Sequence, residues 1–307
     1  MPGPRSVVIT GASRGLGLAS AAHLYKLGWR VVAAMRSPET GLERLRVATG
    51  AGQDDPRLLA VRLDLDDSQS IGAAASEIER IAGAPDVLVH NAGVAAAGCT
   101  EDMPFEVWEQ MFRTNLFGPV RLTKALLPAM RAAGRGRIVV VSSEGGVRGM
   151  PVIGAYSASK GALERWAEAL AEEIAPFGLG VTVIVAGTFK TDILTEQTPD
   201  YGDYNGPYAG HYAAVRRTGG AMVDKAGPPE LFAKALARAL DDKAPFNRRP
   251  IGSDARMLLA SSRLLPARVL HTMIQKAMGL PGFGALRKSA PEQPVEHAVK
   301  HPSTRTS

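Results

Sequence analysis

Short apolar runs rich in Val and Ile recur along the chain, and segments with a helical spacing of apolar residues lie between most of them. The runs predict strands at residues 6–10, 29–35, 58–63, 86–90, 138–141 and 181–185, with a further strand ending near 250–252. Helices are predicted near residues 18–27, 67–81, 104–117, 122–130, 156–177 and 231–240. Strands that alternate with helices predict right-handed crossovers and a parallel sheet covered on both faces.

A glycine-rich turn follows the first predicted strand and leads into the first predicted helix. Gly11 permits a tight turn, Gly15 lets the backbone approach a pyrophosphate, and Gly17 lets the helix pack against the strand. The helix N-terminus would face the anion. This order of strand, turn and helix favours a dinucleotide site over a flexible glycine loop.

The end of the second strand indicates which dinucleotide is preferred. An acid at this position would hold a ribose 2′-hydroxyl, whereas an arginine accommodates a 2′-phosphate. Here Met35 is followed by Arg36, and Arg14 in the glycine turn is a second cation within reach of the same phosphate. Two cations and no carboxylate predict NADP(H) rather than NAD(H), the alternative being two solvated surface arginines.

Other polar residues also lie where strands end. Asp64 closes the third strand and is followed by Leu65, while Asn91 closes the fourth and is followed by Ala92 and Gly93. Ligands of parallel sheets bind at the carboxyl ends of the strands. We therefore expect these residues to border the same site as Thr10, at the end of the first strand.

Tyr156 and Lys160 are spaced one helical turn apart and so lie on one face of a helix. A tyrosine has a pKa near ~10 in water, so it is a poor acid or base at neutral pH unless a cation stabilises its phenolate. Lys160 can be that cation. Taken alone, the pair also fits an ordinary amphipathic helix on which the Tyr packs and the Lys is solvated.

The motifs together resemble the short-chain dehydrogenase/reductase family, over about residues 5–252. Residues 10–17 fit its TGxxxGxG pattern, 91–93 its NAG and 156–160 its YxxxK, while Ser143 and Asn115 stand where the family has its other catalytic residues. The character is closest to the steroid- and retinol-dehydrogenase branch. One departure is Ala186, where the family usually has proline, although Gly187 and Thr191 are retained.

The resemblance implies a single Rossmann-type α/β domain, a doubly wound parallel sheet of about seven strands in the order 3-2-1-4-5-6-7. It also implies the site. Catalytic roles would fall to Ser143, Asn115, Tyr156 and Lys160. Cofactor contacts would come from Thr10, Gly11, Ser13, Arg14, Gly15, Leu16, Gly17, Arg36, Asp64, Leu65, Asn91, Ala92, Gly93, Tyr156, Lys160, Ala186, Gly187, Phe189 and Thr191.

In the mechanism that the resemblance implies, Lys160 and the oxidised nicotinamide lower the pKa of Tyr156, which then exchanges a proton with a substrate oxygen. Ser143 hydrogen-bonds that oxygen, and Asn115 holds a water that links Lys160 to solvent. The activity would be NADP(H)-dependent interconversion of a carbonyl and an alcohol. The alternative is a non-catalytic dinucleotide-binding sensor or scaffold, which loss of Tyr156 or Lys160 would have favoured.

Two regions bear on the substrate. A tyrosine-rich insertion, 191–225, would lie over the site as a lid, unless its tyrosines merely pack. An amphipathic helical extension, 253–285, follows the catalytic domain of 1–252 and precedes a basic tail, 286–307, expected to be disordered. The extension can contact a membrane surface, but packing against its own protein is favoured. Both regions predict a lipophilic substrate of steroid-, retinoid- or polyketide-like character.

Composition excludes several other classes of protein. There is one cysteine, so no internal disulfide forms, and the histidines show no metal-ligand spacing. Net charge is +6, but residues 248–307 hold ten Lys/Arg against three acids, which leaves the body near neutral and argues against nucleic-acid binding. No secretory signal or membrane-spanning run is evident, so we expect a soluble cytoplasmic protein, a homodimer or homotetramer by resemblance.

Overall fold

The computed structural model describes residues 4–191 and 198–287, and a seven-stranded sheet occupies the centre of that part of the chain. Its strands are β1 (Ser6–Thr10), β2 (Arg30–Met35), β3 (Leu58–Arg62), β4 (Val87–His90), β5 (Gly136–Ser143), β6 (Leu179–Ala186) and β7 (Phe246–Ile251). Neighbouring strands pair in parallel in the order β3-β2-β1-β4-β5-β6-β7. The predicted fold class and strand order are confirmed.

Helices cover both faces of the sheet. They are α1 (Gly15–Lys26), α2 (Pro38–Thr49), α3 (Ser68–Ala82), α4 (Phe105–Phe112), α5 (Gly118–Ala132), α6 (Glu144–Val147), α7 (Gly154–Ile174), α8 (Ala209–Asp224), α9 (Pro229–Ala239), α10 (Ser253–Leu264) and α11 (Ala267–Ala277). A π-helical turn, Arg113–Phe117, joins α4 to α5, and a 3₁₀ turn, Ala175–Phe177, ends α7. The helices α2, α6 and α8 are additions to the sequence prediction.

The strands alternate their side chains between two apolar cores, because a sheet covered on both faces buries both sides of its central strands. Val8, Val32 and Leu88 lie in the core under α3, α5 and α7. Val7 and Val31 point the other way, into the core under α1 and α9. This double burial explains why the strands read as continuous apolar runs, and it holds the strand ends in one rigid edge.

The insertion is more ordered than its sequence suggested, and the extension is helical as predicted. Within residues 198–225, α8 forms a helix of sixteen residues, although no clear apolar periodicity marks it. The extension forms α10 and α11, of which α10 packs on α6 and β7. Ala255, Leu258, Leu259 and Leu270 are its buried residues. Residues 192–197 of the insertion lie outside the described residues. Residues 288–307 of the basic tail do so as well, and the expectation that the tail is disordered stays a prediction.

Candidate active site

Thr10 and Asn91 join the ends of β1 and β4. The Thr10 hydroxyl accepts hydrogen bonds from the backbone N–H groups of Asn91 and Ala92, both at 3.0 Å. The Asn91 amide in turn donates to the carbonyls of Thr10, at 3.0 Å, and Gly11, at 3.3 Å. These bonds bring the two predicted strand ends together and orient the glycine turn.

The glycine turn has the shape that a dinucleotide phosphate needs. Gly11 has φ of 68°, and a Cβ there would lie 2.9 Å from the Ala92 backbone, so only glycine fits. A Cβ on Gly17 would lie 2.3 Å from the Gly11 carbonyl oxygen. Gly15 has a φ of 52°, and among the described residues only Thr191 comes within 4 Å of its missing Cβ, at 3.4 Å, so the turn and Thr191 border a shallow cradle.

The N-terminus of α1 faces this cradle without a side-chain cap. Arg14 occupies the N-cap position without a side-chain cap, no acid lies in the first turn, and no side chain of the described residues bonds the first amides. Free amide groups at the positive end of a helix of twelve residues form an anion site. The residues present therefore fit a dinucleotide pyrophosphate. Ser13 and Leu16 flank the turn, partly buried, and Leu16 packs against the core.

The end of β2 carries exposed positive charge beside a buried methionine. Met35 is buried, and α2 approaches it so closely that a Cβ on Gly41 would collide with its sulfur. Arg36 is exposed, and Arg14 is partly exposed. Neither arginine forms an ion pair with an acid in the described part of the chain. Both guanidinium groups are thus available to a phosphate.

The residues after β3 are held by local contacts. The Asp64 N–H donates to the Ser70 hydroxyl at 2.9 Å, and its carboxylate accepts from the Asp66 N–H at 3.0 Å. Leu65 is buried against Gly118, where a Cβ would lie 2.7 Å from it. Leu65 therefore helps to shape the edge of the site from the core side.

The loop after β6 is tied to the extension by a carboxylate that sequence reasoning missed. Asp254, in the first turn of α10, accepts a hydrogen bond from the Thr188 N–H at 2.7 Å. A Cβ on Gly187 would lie 2.0 Å from the same carboxylate. Ala186 pairs with Ser143 on one side and Ile251 on the other. The loop after β6, which lacks the family's usual proline, is thus held in place by α10.

Phe189 and Thr191 differ in their position within this loop. The Phe189 ring is buried edge-to-face against Phe232, with centroids 5.6 Å apart, so its side chain belongs to the core. Only its backbone can contact a cofactor, which narrows the sequence-based assignment. Thr191 borders Gly15, as expected for a cofactor residue.

Tyr156 and Ser143 meet at the end of β5. Tyr156 lies in the first turn of α7, and burial raises the pKa of its phenol, while a hydrogen bond with the Ser143 side chain opposes that rise. The Ser143 oxygen also accepts a bond from the Gly145 N–H at 3.3 Å. The phenol and the hydroxyl converge on one point, where both can reach the same small group.

Lys160 is buried beneath that point. Its ammonium donates to the Val141 carbonyl at 2.8 Å and lies 5.9 Å from the centre of the Tyr156 ring. Burial lowers the pKa of Lys160 to about 8. Burial is the main influence on the phenol and raises its pKa, so the expected lowering of this pKa by Lys160 together with an oxidised nicotinamide stays a prediction.

Asn115 lies in the π-helical turn and is fully buried, whereas an asparagine near a helix end is ordinarily a cap or solvent-facing. Its side-chain oxygen accepts from the Val94 N–H at 2.8 Å, and its amide donates to the Val94 carbonyl and the Ser159 hydroxyl, both at 2.9 Å. Ser159 donates in turn to the Tyr156 carbonyl at 2.8 Å. The side chain is therefore fully bonded and positions α7.

Gly93 completes the contact between these elements. A Cβ there would lie 3.2 Å from both the Lys160 ammonium and the Asn115 side-chain oxygen, so a larger residue would press on both. His90, just before Asn91, is buried, and burial, aided by the nearby Lys160, lowers its pKa to about 3. The imidazole stays neutral and adds no charge near Lys160.

Two further acids near the site were not identified from the sequence. Glu144 follows Ser143 directly, and burial, together with the charge of Asp254, raises its pKa to about 7. Glu164 lies one helical turn beyond Lys160, fully buried, where it accepts from the Ser142 hydroxyl at 2.6 Å and pairs with Arg248. No motif marks either position, because their partners lie on distant elements.

The tyrosines of the insertion form structural bonds. Tyr212 is buried and hydrogen-bonds the Asp102 carboxylate and the Cys99 N–H. Tyr208 donates to Glu101, and Tyr204 donates to Asp200. The packing alternative therefore describes Tyr208 and Tyr212, which attach α8 to residues 99–102, whereas Tyr204 bonds within the segment that precedes α8.

Within the described residues, no group of His, Cys, Asp and Glu side chains could hold a metal ion. In the same part of the chain, no helix has both the length and the apolar character needed to cross a bilayer.

The chain is similar to proteins of one family. The family model described as short chain dehydrogenase matches residues 5–202. The uncharacterized oxidoreductase YusZ of Bacillus subtilis is 32% identical over 279 residues, which cover 88% of this chain and 97% of that protein. The 3-ketodihydrosphingosine reductase of Bacteroides thetaiotaomicron is 37% identical over 208 residues, 65% of this chain and 72% of that protein.

A solved structure supports the same assignment. The crystal structure of a short-chain dehydrogenase from Streptomyces avermitilis superposes with a TM-score of 0.75 at 35% identity, covering 89% of this chain and 96% of that one. With the sheet order and the glycine turn described above, the chain belongs to the short-chain dehydrogenases, and it is an oxidoreductase of CH–OH groups that uses a nicotinamide dinucleotide.

Proposed function

We propose that this protein is an NADP(H)-dependent oxidoreductase that interconverts a carbonyl and an alcohol on a lipophilic small molecule. The observation that carries the proposal is the convergence of Ser143 and Tyr156 above the buried Lys160, at the carboxyl edge of the sheet. The dinucleotide supplies the hydride when it is bound. The protein's own residues orient the substrate and exchange the proton.

Tyr156 is the proton donor in the direction of reduction. Because burial raises the pKa of its phenol, the group is protonated at neutral pH and can donate to a substrate oxygen. Ser143 hydrogen-bonds the same oxygen and sets its distance from the reacting carbon. The Lys160 ammonium, fixed by the Val141 carbonyl, stabilises the phenolate that forms.

The route that returns a proton to this site runs past Asn115. Its side chain is fully bonded, so the water assigned to this residue would bind its backbone carbonyl instead. The residue four positions later is Pro119, which has no N–H to give to that carbonyl. The Asn115 side-chain oxygen and the Lys160 ammonium both lie beside Gly93, so a water held at Asn115 would be close to Lys160.

The cofactor site lies along the edge formed by β1, β2 and β4. The glycine cradle and the uncapped end of α1 would bind the pyrophosphate, and Arg14 and Arg36 would bind a 2′-phosphate. Preference for NADP(H) follows from these two free cations and from the absence of an acid at Met35.

The apolar character of the substrate is supported by residues beside Tyr156. Ala96, Met103, Met111 and Ala155 form a small buried cluster, against which Val94, Trp108 and Tyr156 itself pack. The four cluster residues are buried, so Val94, Trp108 and Tyr156, which are partly buried, would present the apolar surface to a substrate. The relative from Bacteroides is named for the reduction of a lipid ketone, which agrees with this proposal.

A screen of lipophilic ketones, aldehydes and alcohols against NADPH and NADH, followed by nicotinamide absorbance, tests the proposal. We expect turnover of bulky apolar carbonyls with NADPH and little turnover of small polar ones. Tight binding of NADPH without turnover of any compound would favour the sensor alternative. Better turnover with NADH would refute the cofactor assignment alone.

A further inference from the structure

The helices of the extension bury one face and leave a second apolar face in solvent. Met257 is 70% exposed and Leu264 81% exposed on α10, while Val269 is 46% and Met273 52% exposed on α11. Phe283, which follows α11, is 97% exposed. We call these five apolar side chains the extension face. Single exposed apolar residues are common on protein surfaces, but five large ones within one short extension are not.

The spacing on α10 shows that this exposure is systematic. Five exposed residues of this helix are one, three or four positions apart and so lie along one side of it. They are Arg256, Met257, Ala260, Arg263 and Leu264. Ala255, Leu258 and Leu259 are buried on the other side, against α6 and β7. The helix therefore has two apolar stripes, of which packing within the protein accounts for one.

Positive charge surrounds the extension face. Residues 253–287 contain five Lys/Arg, which are Arg256, Arg263, Arg268, Lys276 and Arg287, and one acid, Asp254. The acid is turned inward and holds the loop after β6. None of the five cations forms an ion pair with an acid in the described ranges, and Arg287 stacks on the Phe283 ring.

We propose that the extension face binds the surface of an anionic lipid bilayer. At the surface of such a bilayer, apolar side chains are buried among the acyl chains. The neighbouring cations neutralise the acidic headgroups. Association with a second copy is disfavoured by the same charges. In a symmetric dimer the face would meet itself and set five cations against five.

The position of the face also relates it to the active site. His271 on α11 hydrogen-bonds Arg148, at 2.9 Å, just after the helix α6 that begins beside Ser143. The Thr218 hydroxyl on α8 donates to the Met278 carbonyl at 3.3 Å. A bilayer bound at the extension face would thus lie near the elements that border the substrate. Membrane binding at the extension face does not depend on the substrate proposed for the active site.

Sedimentation of the full-length protein with phosphatidylcholine vesicles, with and without phosphatidylglycerol, tests the proposal. We expect binding to the anionic vesicles, weaker binding in high salt, and little binding to neutral vesicles. The triple variant Met257→Ser, Leu264→Ser and Met273→Ser should weaken binding at least roughly tenfold. The matched control Leu27→Ser with Val47→Ser, at exposed sites far from the extension, should bind like wild type.

Charge is tested separately with a second pair of variants. Arg256→Glu with Arg263→Glu should weaken binding at least roughly tenfold, because each cation near an anionic surface contributes and each new acid is repelled. The control Arg121→Glu with Lys124→Glu reverses two exposed charges on α5 and should have a much smaller effect. Thermal melting and NADPH affinity confirm that each variant is folded.

Three outcomes would overturn the proposal. One is no binding of the wild type to either kind of vesicle. Another is an equal loss of vesicle binding in the extension variants and in their control variants. The third is a fall in particle mass by light scattering in the extension variants, which would make the face a contact between copies of this chain.

Discussion

Asp254 in the extension holds the backbone of Thr188 in the loop after β6, through a hydrogen bond of 2.7 Å to the Thr188 N–H. The same carboxylate leaves no room for a side chain on Gly187 and also accepts from the Ala255 N–H at 2.9 Å. The start of the extension is therefore joined to the loop after β6 at this edge of the sheet. Truncation after Ser253 would disturb that edge, so point variants are better probes of the extension.

Asp254→Ala should weaken NADPH binding by roughly tenfold and lower the melting temperature, because hydrogen bonds to a charged acceptor contribute about 1.5–3 kcal/mol. Asp254→Asn keeps one acceptor oxygen and should have an intermediate effect. Fluorescence titration and thermal melting measure the two quantities. Glu172→Ala, an exposed acid on α7, is the control, and equal behaviour of Asp254→Ala and the control would show that the carboxylate does not order the loop.

Tyr156→Phe should reduce turnover by at least ~10²–10⁴-fold, the usual contribution of general acid catalysis, and leave NADPH affinity close to wild type. The change removes the proton donor and almost no volume. Steady-state kinetics on a substrate found in the screen measures it. Tyr204→Phe makes the same chemical change in the insertion, where the phenol is bonded to Asp200, and should leave turnover unaltered. Retention of most activity in Tyr156→Phe would rule out the assigned role.

Arg36→Ala and Arg14→Ala should each raise the Kd for NADPH by roughly tenfold or more and leave that for NADH nearly unchanged, since only NADPH carries the 2′-phosphate. Arg46 lies on α2, the helix that follows β2, and its guanidinium donates to the Gln53 carbonyl. Arg46→Ala should therefore leave the Kd of both cofactors unchanged. A substitution of Met35 by an acid is a poorer test, because Met35 is buried against Gly41. Parallel losses for NADPH and NADH would point to a general structural effect.

Glu144→Gln should stabilise the protein increasingly as pH rises. Burial and Asp254 raise the pKa of Glu144 from 4.5 to about 7, so the folded state retains a proton that the unfolded chain releases. The wild type thus loses stability between these two pH values, whereas the amide cannot ionise. We expect no difference below pH 4.5 and a gain of about 2 kcal/mol above pH 7, reduced from the full linkage value by partial exposure.

Urea unfolding of both proteins across this pH range measures the difference. Glu172→Gln, at an exposed position, should show no pH-dependent gain. A constant difference between Glu144→Gln and wild type at every pH would mean that the residue contributes through packing and not through its charge.

Local signals were sufficient to predict the sheet and which polar residues lie at the strand ends. The central strands are buried on both faces, so their composition marks them without reference to their neighbours, as in residues 6–10 and 181–185. Right-handed crossovers then restrict the order in which the strands can lie. The same reasoning places Thr10, Asp64 and Asn91 at one edge, because all parallel strands end there.

Contacts between distant elements could not be predicted in this way. Asp254 and Thr188 are 66 residues apart, and Glu164 pairs with Arg248 across the sheet, so neither relationship leaves a local pattern. The pKa of Tyr156 depends on burial, which the spacing of Tyr156 and Lys160 does not reveal. Sequence therefore determined which groups meet at the strand ends, and the tertiary structure decided their charge states and what holds them, because both depend on solvent exclusion and long-range packing.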